Sequence, residues 1–143
     1  MSDPKVMVAL NDLESVDDLI KLACQVSKGL ECQVVALHVV EVTPSLPLDA
    51  EAEVLDEPGK RVLAQARETA AKCFSSEIIT RLVRARSAGE AIVGETEDTH
   101  TELLIMGHRR KTPLGEIFLG STSQHVARHA RCRVIIQIPP ATT

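Results

Sequence analysis

Five short apolar runs alternate with four stretches of helical periodicity, and this alternation constrains the fold more than any other feature of the chain. The runs Lys5–Leu10, Gln33–Val40, Glu77–Ala85, Leu103–Met106 and Arg133–Ile138 predict strands. Helices are predicted from the Ser15–Asp18 region to Gly29, over Lys60–Phe74, from Ser87 toward Thr96, and from Ser121 to Ala130. The strands are apolar throughout rather than at every second residue. Such strands are buried on both faces, which requires a parallel sheet covered by helices on each side. At 143 residues the chain is expected to form one α/β domain, residues 1–143. Five strands suit a Rossmann-like or flavodoxin-like open sheet of order 3-2-1-4-5. The order reverses between strands one and four, and ligands of such sheets bind outside the carboxyl ends of the strands at that switch.

Local signals set the element boundaries. Ser15-Val-Asp-Asp18, Ser87-Ala-Gly-Glu90 and Ser121-Thr-Ser-Gln124 each match a capping box or a variant of one. Gly29 is placed to stop the first helix. Residues 43–58 contain Pro44, Pro47 and Pro58 and read as a loop. Residues 41–57 carry Glu41, Asp49, Glu51, Glu53, Asp56 and Glu57 with no Lys or Arg, and are expected to form a flexible connection, with a lid or a partner surface as the alternatives.

Composition narrows the function. Two Phe and no Tyr or Trp leave the core to Val, Ile, Leu and Ala. They also leave no aromatic platform for stacking single-stranded bases. The net charge of −4 gives no basic field for DNA or an anionic membrane. The first residues lack the apolar core of a signal peptide, and no run reaches the length of a spanning helix. A cytoplasmic location is expected. Cys24, Cys32, Cys73 and Cys132 have no CxxC spacing and are expected to be buried free thiols.

The candidate site lies in the stretch from Met106 to Ser123. A buried strand ends at Met106-Gly107, a basic loop His108-Arg109-Arg110-Lys111 follows, and Gly120-Ser121 opens a helix. A helix start presents unpaired N–H groups and the positive end of the helix dipole, which together hold phosphate. Residues 107–133 carry six Lys or Arg against Glu116 alone, a local charge of +5. Arg109, Arg110 and Lys111 are able to hold phosphate through their side chains.

Competing motifs are weaker. Gly115–Thr122 resembles a P-loop but has Ser121 where the lysine belongs. His125 and His129 have a metal-binding i,i+4 spacing but no third ligand, and read as surface or half-buried residues. His38 is expected in the core, hydrogen-bonded to backbone, whereas His108 sits in the anion loop. No Ser-His-Asp or Cys-His set can be assigned, so no catalytic residue is expected.

These residues resemble the universal stress protein family. The resemblance spans essentially the whole chain: the first strand, Leu37-His38-Val39-Val40, and the C-terminal third with Leu114-Gly-Glu-Ile-Phe-Leu-Gly-Ser121 and His129-Ala-Arg-Cys-Arg-Val-Ile-Ile136. The family's nucleotide signature is Gly, two residues, Gly, nine residues, then Gly-Ser or Gly-Thr. Gly107 and Gly120-Ser121 match it, and Arg110 replaces its second glycine. The family's strand-one aspartate, near adenine and ribose, corresponds to Asn11, with Asp12 beside it.

The resemblance implies a small stress-response regulator that binds an adenine nucleotide, ATP foremost, with or without Mg2+, and turns it over little or not at all. It implies a nucleotide site of Ala9, Leu10, Asn11, Asp12, Val39, Val40, Met106, Gly107, Arg109, Arg110, Gly120, Ser121, Thr122 and Ser123. It also implies a homodimer through the last strand, Val134–Ile138. The rival expectations are an interaction module with a degenerate site, in which Asn11 and Arg110 mark lost binding, and an enzyme acting on a phosphorylated small molecule.

Overall fold

The computed structural model describes residues 4–28, 32–49, 53–74, 77–108 and 119–140. They form nine elements in strict alternation. The strands are β1 (Lys5–Ala9), β2 (Gln33–Glu41), β3 (Ile79–Ala85), β4 (Thr101–Gly107) and β5 (Arg133–Gln137). The helices are α1 (Leu13–Ser27), α2 (Glu53–Cys73), α3 (Ala88–Asp98) and α4 (Ser121–His129). All strand pairs are parallel and their order is β3-β2-β1-β4-β5, as the strand pattern predicts.

Strand alternation divides the core into two layers. Val6, Val8, Val34, Ala36 and Ile105 point to one face, where Val16, Leu19 and Ile20 of α1 and Val62, Leu63 and Ala66 of α2 cover them. Met7, Val35, Leu37, Leu104 and Met106 point to the other, against Ile92 of α3 and Val126 of α4. Both sides of the central strands are therefore removed from water, which is why Val6–Ala9, Val34–Leu37 and Leu103–Met106 are apolar in succession. Each such side chain contributes roughly 1.5–3 kcal/mol when fully buried.

Several boundaries differ from the sequence reading. α1 begins at Leu13, and its N-cap is Asp12, whose carboxylate accepts the Ser15 N–H at 3.0 Å. The Ser15 hydroxyl donates back to the Asp12 carbonyl, so the cap lies three residues before the predicted box. Gly29 lies outside the described residues. The Ser87 cap is as predicted: its hydroxyl accepts the Glu90 N–H. At α4 the cap is Gly120, not Ser121, and it makes no side-chain cap bond. α2 is the largest correction. Residues 53–58 belong to it rather than to a loop, and Pro58 lies inside the helix. Proline there removes one intrahelical bond, to the Val54 carbonyl. Asp56 in those turns is paired with Arg84 of β3. β4 starts two residues earlier than predicted, at Thr101, and β5 ends one earlier, at Gln137. The four cysteines are free, as expected, but half-buried rather than buried. Among the described residues no helix is long and apolar enough to cross a membrane.

Candidate functional site

The β1/β4 switch opens into a cavity of about 870 Å3 at the carboxyl ends of the strands. That volume suits a small organic ligand or cofactor, for which pockets run roughly 300–1,000 Å3. Ala9, Leu10, Asn11, Asp12, Val39, Val40, Met106, Gly107, Gly120, Ser121, Thr122 and Ser123 all line it. The topology alone brings these distant stretches together. Arg109, Arg110 and Lys111 lie outside the described residues.

One wall is a helix start. Gly120 is the N-cap of α4, and the first helical bond runs from the Gln124 N–H to the Gly120 carbonyl at 2.9 Å. The N–H groups of Ser121, Thr122 and Ser123 precede that bond, at the positive end of the dipole. No side chain caps them, and a Cβ built on Gly120 meets nothing within 4 Å. Opposite stands Gly107, the last residue of β4. A Cβ there would meet Leu19 Cδ1 of α1 at 3.2 Å, so a larger residue would require the Leu19 side chain to shift.

The second wall is apolar and comes from the end of β2. Val40 is buried and Val39 half-buried. The His38 imidazole, also lining the cavity, donates from Nδ1 to the Leu10 carbonyl at 2.8 Å and is buried, as its strand position predicts. That bond fixes the end of β1 immediately before Asn11.

Carboxylates mark the remaining rim. Asp12, Glu14, Asp18 and Glu41 line the cavity, and among its described residues there is no Lys or Arg. Asp12 is engaged as the α1 cap. Glu41 accepts the Ala88 N–H at 2.8 Å, which places a carboxylate on the N-terminus of α3. Among the described residues, positive potential at the cavity comes from the N-terminus of α4. Among the described residues no three His, Cys, Asp or Glu side chains group as metal ligands.

The ends of β4 and β5 meet at the cavity. The His108 N–H donates to the Gln137 carbonyl at 2.9 Å, while His108 Nε2 and Gln137 Oε1 are buried without a hydrogen-bond partner. Both residues line the cavity. Buried polar atoms left unpaired are rare and cost free energy, so such a pair marks a place where a polar guest is favoured.

Sequence reasoning missed several lining residues: Leu55 and Pro58 of α2, Ala88 and Gln137. Ala88 had a readable signal, since it follows Ser87 in the capping box that starts α3. Leu55, Pro58 and Gln137 had none, because only tertiary packing brings them to the switch.

Titration shifts lie mostly outside the cavity. The hydrogen bonds from Thr69 and Gln65 of α2 hold the Asp17 carboxyl below the ordinary aspartate range. Arg84 does the same to Asp56, chiefly by hydrogen bonding. Burial pushes the Cys24, Cys32 and Cys132 thiols up, so none is activated as a nucleophile.

A doubly wound parallel sheet with a helix-start cavity at its switch point defines a class of small-ligand-binding α/β proteins. Within that class the chain belongs to the universal stress protein family, whose family model matches residues 4–137. A universal stress protein of Methanocaldococcus jannaschii is 29% identical over 142 residues, covering 95% of this chain and 82% of the relative. Among solved structures, a universal stress protein of Archaeoglobus fulgidus superposes with a TM-score of 0.77 at 17% identity, over 95% of this chain and 98% of the other. Another from that organism, in complex with dAMP, gives 0.72 at 15% identity over 94% and 97% of the two chains. A universal stress protein in complex with cAMP gives 0.70 at 20% identity over 96% and 98%. At these identities the structures establish a shared fold.

Proposed function

We propose that this universal stress protein is a small regulator that binds an adenine nucleotide, ATP foremost, in the switch-point cavity. The observation that carries the reading is the start of α4: an uncapped helix N-terminus opening into a cavity of nucleotide size. The triphosphate would lie on the N–H groups of Ser121, Thr122 and Ser123 and beside Gly107, with Arg109–Lys111 adding charge. The base would pack on Val39 and Val40. Asn11 and Asp12 lie at the ribose end, where Asn11 donates or accepts a hydrogen bond without charge. The unpaired Nε2 of His108 and Oε1 of Gln137 add polar capacity near the same wall. Solved relatives described as complexes with cAMP and dAMP support an adenine nucleotide as the guest.

The chemistry available is binding. Among the described residues no base and nucleophile are aligned in the cavity, which supports slow or absent turnover. A magnesium ion would arrive on the nucleotide's phosphates rather than in a cage of protein ligands. The protein acts in the cytoplasm, where its free thiols persist. It pairs as a homodimer through β5, an edge strand whose Val134, Ile135 and Ile136 are only half-buried in the single chain.

Isothermal titration with ATP, AMP and cyclic AMP tests the reading. Measurable heat saturating at one nucleotide per chain is expected, and no heat with any of the three would overturn it. The exposed Asn11 and the carboxylate rim favour a second reading, an interaction module with a degenerate site. The double change Asn11→Asp with Arg110→Gly separates the two: affinity that emerges only in the variant supports the degenerate site.

A further inference from the structure

We propose that Arg84 is a positioning residue of the cavity: by gripping Asp56 it holds the first turns of α2 as a cavity wall, and so sets how fast a bound nucleotide leaves. The identity of the ligand rests on the function proposed above; the grip itself does not.

Asp56 lies between Leu55 and Pro58, the two residues of α2 that line the cavity. Both of its carboxylate oxygens are taken by one guanidinium. Arg84 Nε donates to Oδ1 at 3.0 Å and Nη2 to Oδ2 at 2.7 Å, a bidentate fork. Arg84 stands on the edge strand β3, in register with Val40 of β2, which also lines the cavity. Its Nη1 reaches the Leu48 carbonyl at 3.4 Å. Arg86, just past the end of the strand, donates to the carbonyls of Val42, Thr43 and Leu46 at 3.3, 2.5 and 2.6 Å. The chain leaving β2 and the start of α2 are thus both tied to β3 and its exit.

Among the described residues, the turns of α2 before Gly59 bury no apolar side chain completely. Val54 is 84% exposed, and Leu55 is only half-buried, against the cavity. Pro58 removes the donor for the Val54 carbonyl. The buried apolar anchors of the helix begin at Val62. The Arg84–Asp56 pair is also unlike an ordinary surface pair. Its side chains are 25% and 16% exposed, against 68% and 54% for Arg61–Glu57 on neighbouring turns. Screening weakens the second far more than the first.

The test uses the full chain, with four forms compared: wild type, Arg84→Met, Asp56→Asn, and the exchange Arg84→Asp with Asp56→Arg. Stopped-flow release of a fluorescent ATP analogue is expected to be roughly fivefold faster in the single variants, because a wall that opens more often lets its guest leave sooner. Amide hydrogen exchange without nucleotide is expected to quicken over residues 53–60 while β1 and β4 keep wild-type rates, which separates a loosened wall from global destabilisation. The exchanged pair restores both readouts at least in part. Unchanged exchange in both single variants overturns the proposal, as does faster exchange with unchanged release. If the wild type binds no nucleotide, the ligand reading fails and exchange alone decides whether Arg84 holds the wall.

Discussion

The imidazole of His38 on β2 holds the carbonyl of Leu10 at the end of β1, Nδ1 to oxygen at 2.8 Å. Leu10 in turn donates its N–H to Leu37, so the neighbouring strand fixes the end of β1 on both its polar groups. The next residues are Asn11 and the helix cap Asp12. A core histidine thereby sets the geometry of the cavity wall at Asn11 and Asp12. His38→Phe keeps a ring of similar bulk but removes the donor. It is expected to cost about 1–3 kcal/mol, the penalty of an unpaired buried carbonyl. Urea denaturation should show a lower midpoint with an unchanged slope. A midpoint equal to wild type would mean that the bond contributes nothing net.

Gly59 and Gly94 make a contrasting pair, both inside helices. A Cβ on Gly59 would meet His38 Cδ2 at 2.5 Å and Leu82 Cδ1 at 2.6 Å. The His38 ring is buried and hydrogen-bonded, so it cannot swing aside. Gly59→Ala is expected to destabilise by about 1–3 kcal/mol through overpacking, more than helix propensity returns. A Cβ on Gly94 meets nothing within 4 Å. Gly94→Ala should therefore stabilise by about 0.4–1 kcal/mol. Thermal melts of the two variants should move in opposite directions.

Acid should loosen the α1–α2 contact. Asp17 accepts hydrogen bonds from Thr69 and Gln65, which lower its folded pKa. A lowered folded pKa means the ionised form stabilises the native state. That contribution is complete above the unfolded value, about 3.9, and is lost as pH falls through the folded value. Asp56 behaves with the same sign through Arg84. Stability measured from neutral to acid pH should fall on this limb, and Asp17→Asn should flatten it while changing little of the pH dependence near neutrality. An unchanged acid limb would show that the bond to Thr69 survives protonation.

The sheet was legible because burial leaves a direct mark. Val6, Met7 and Val8 are apolar in succession since each face of β1 carries a helix layer, and no other architecture asks for that. The site followed from topology, because the strand order alone puts Asn11, Val39 and Gly120 around one switch. The start of α2 was not legible. Pro58 and a run of carboxylates read as a loop, and what overrides them is the Arg84–Asp56 pair, a contact 28 residues apart. Cap positions slipped for a different reason. Asp12, Ser15, Gly120 and Ser121 are all competent caps, and only the exact exit of β1 or β4 chooses between them.

Asp12 holds two possible roles that a single substitution separates. As N-cap it satisfies the Ser15 N–H, and as a cavity residue it brings negative charge to the cavity rim. Asparagine caps about as well as aspartate. Asp12→Asn should leave the melting temperature nearly unchanged, whereas Asp12→Ala should lower stability by about 1 kcal/mol. Any loss of nucleotide affinity shared by both variants reports the carboxylate's part in binding. Affinity lost only in Asp12→Ala would assign the residue to capping alone.

The start of α4 sets stability against binding. Gly120 has an extended N-cap conformation, φ −68° and ψ 174°, which any residue adopts, and there is open space at its Cβ. Aspartate there would cap the helix from its own side chain and meet the dipole with negative charge. Gly120→Asp is therefore expected to stabilise the fold by a few tenths of a kcal/mol. The same carboxylate would occupy the N–H groups proposed for phosphate and repel it. Nucleotide affinity should fall by at least about tenfold, since the charge-assisted bonds at stake are worth roughly 1.5–3 kcal/mol each. Calorimetric titration and thermal melting on the one variant measure both effects. A more stable protein that still binds with wild-type affinity would place the phosphates away from α4 and rule out the proposed pose.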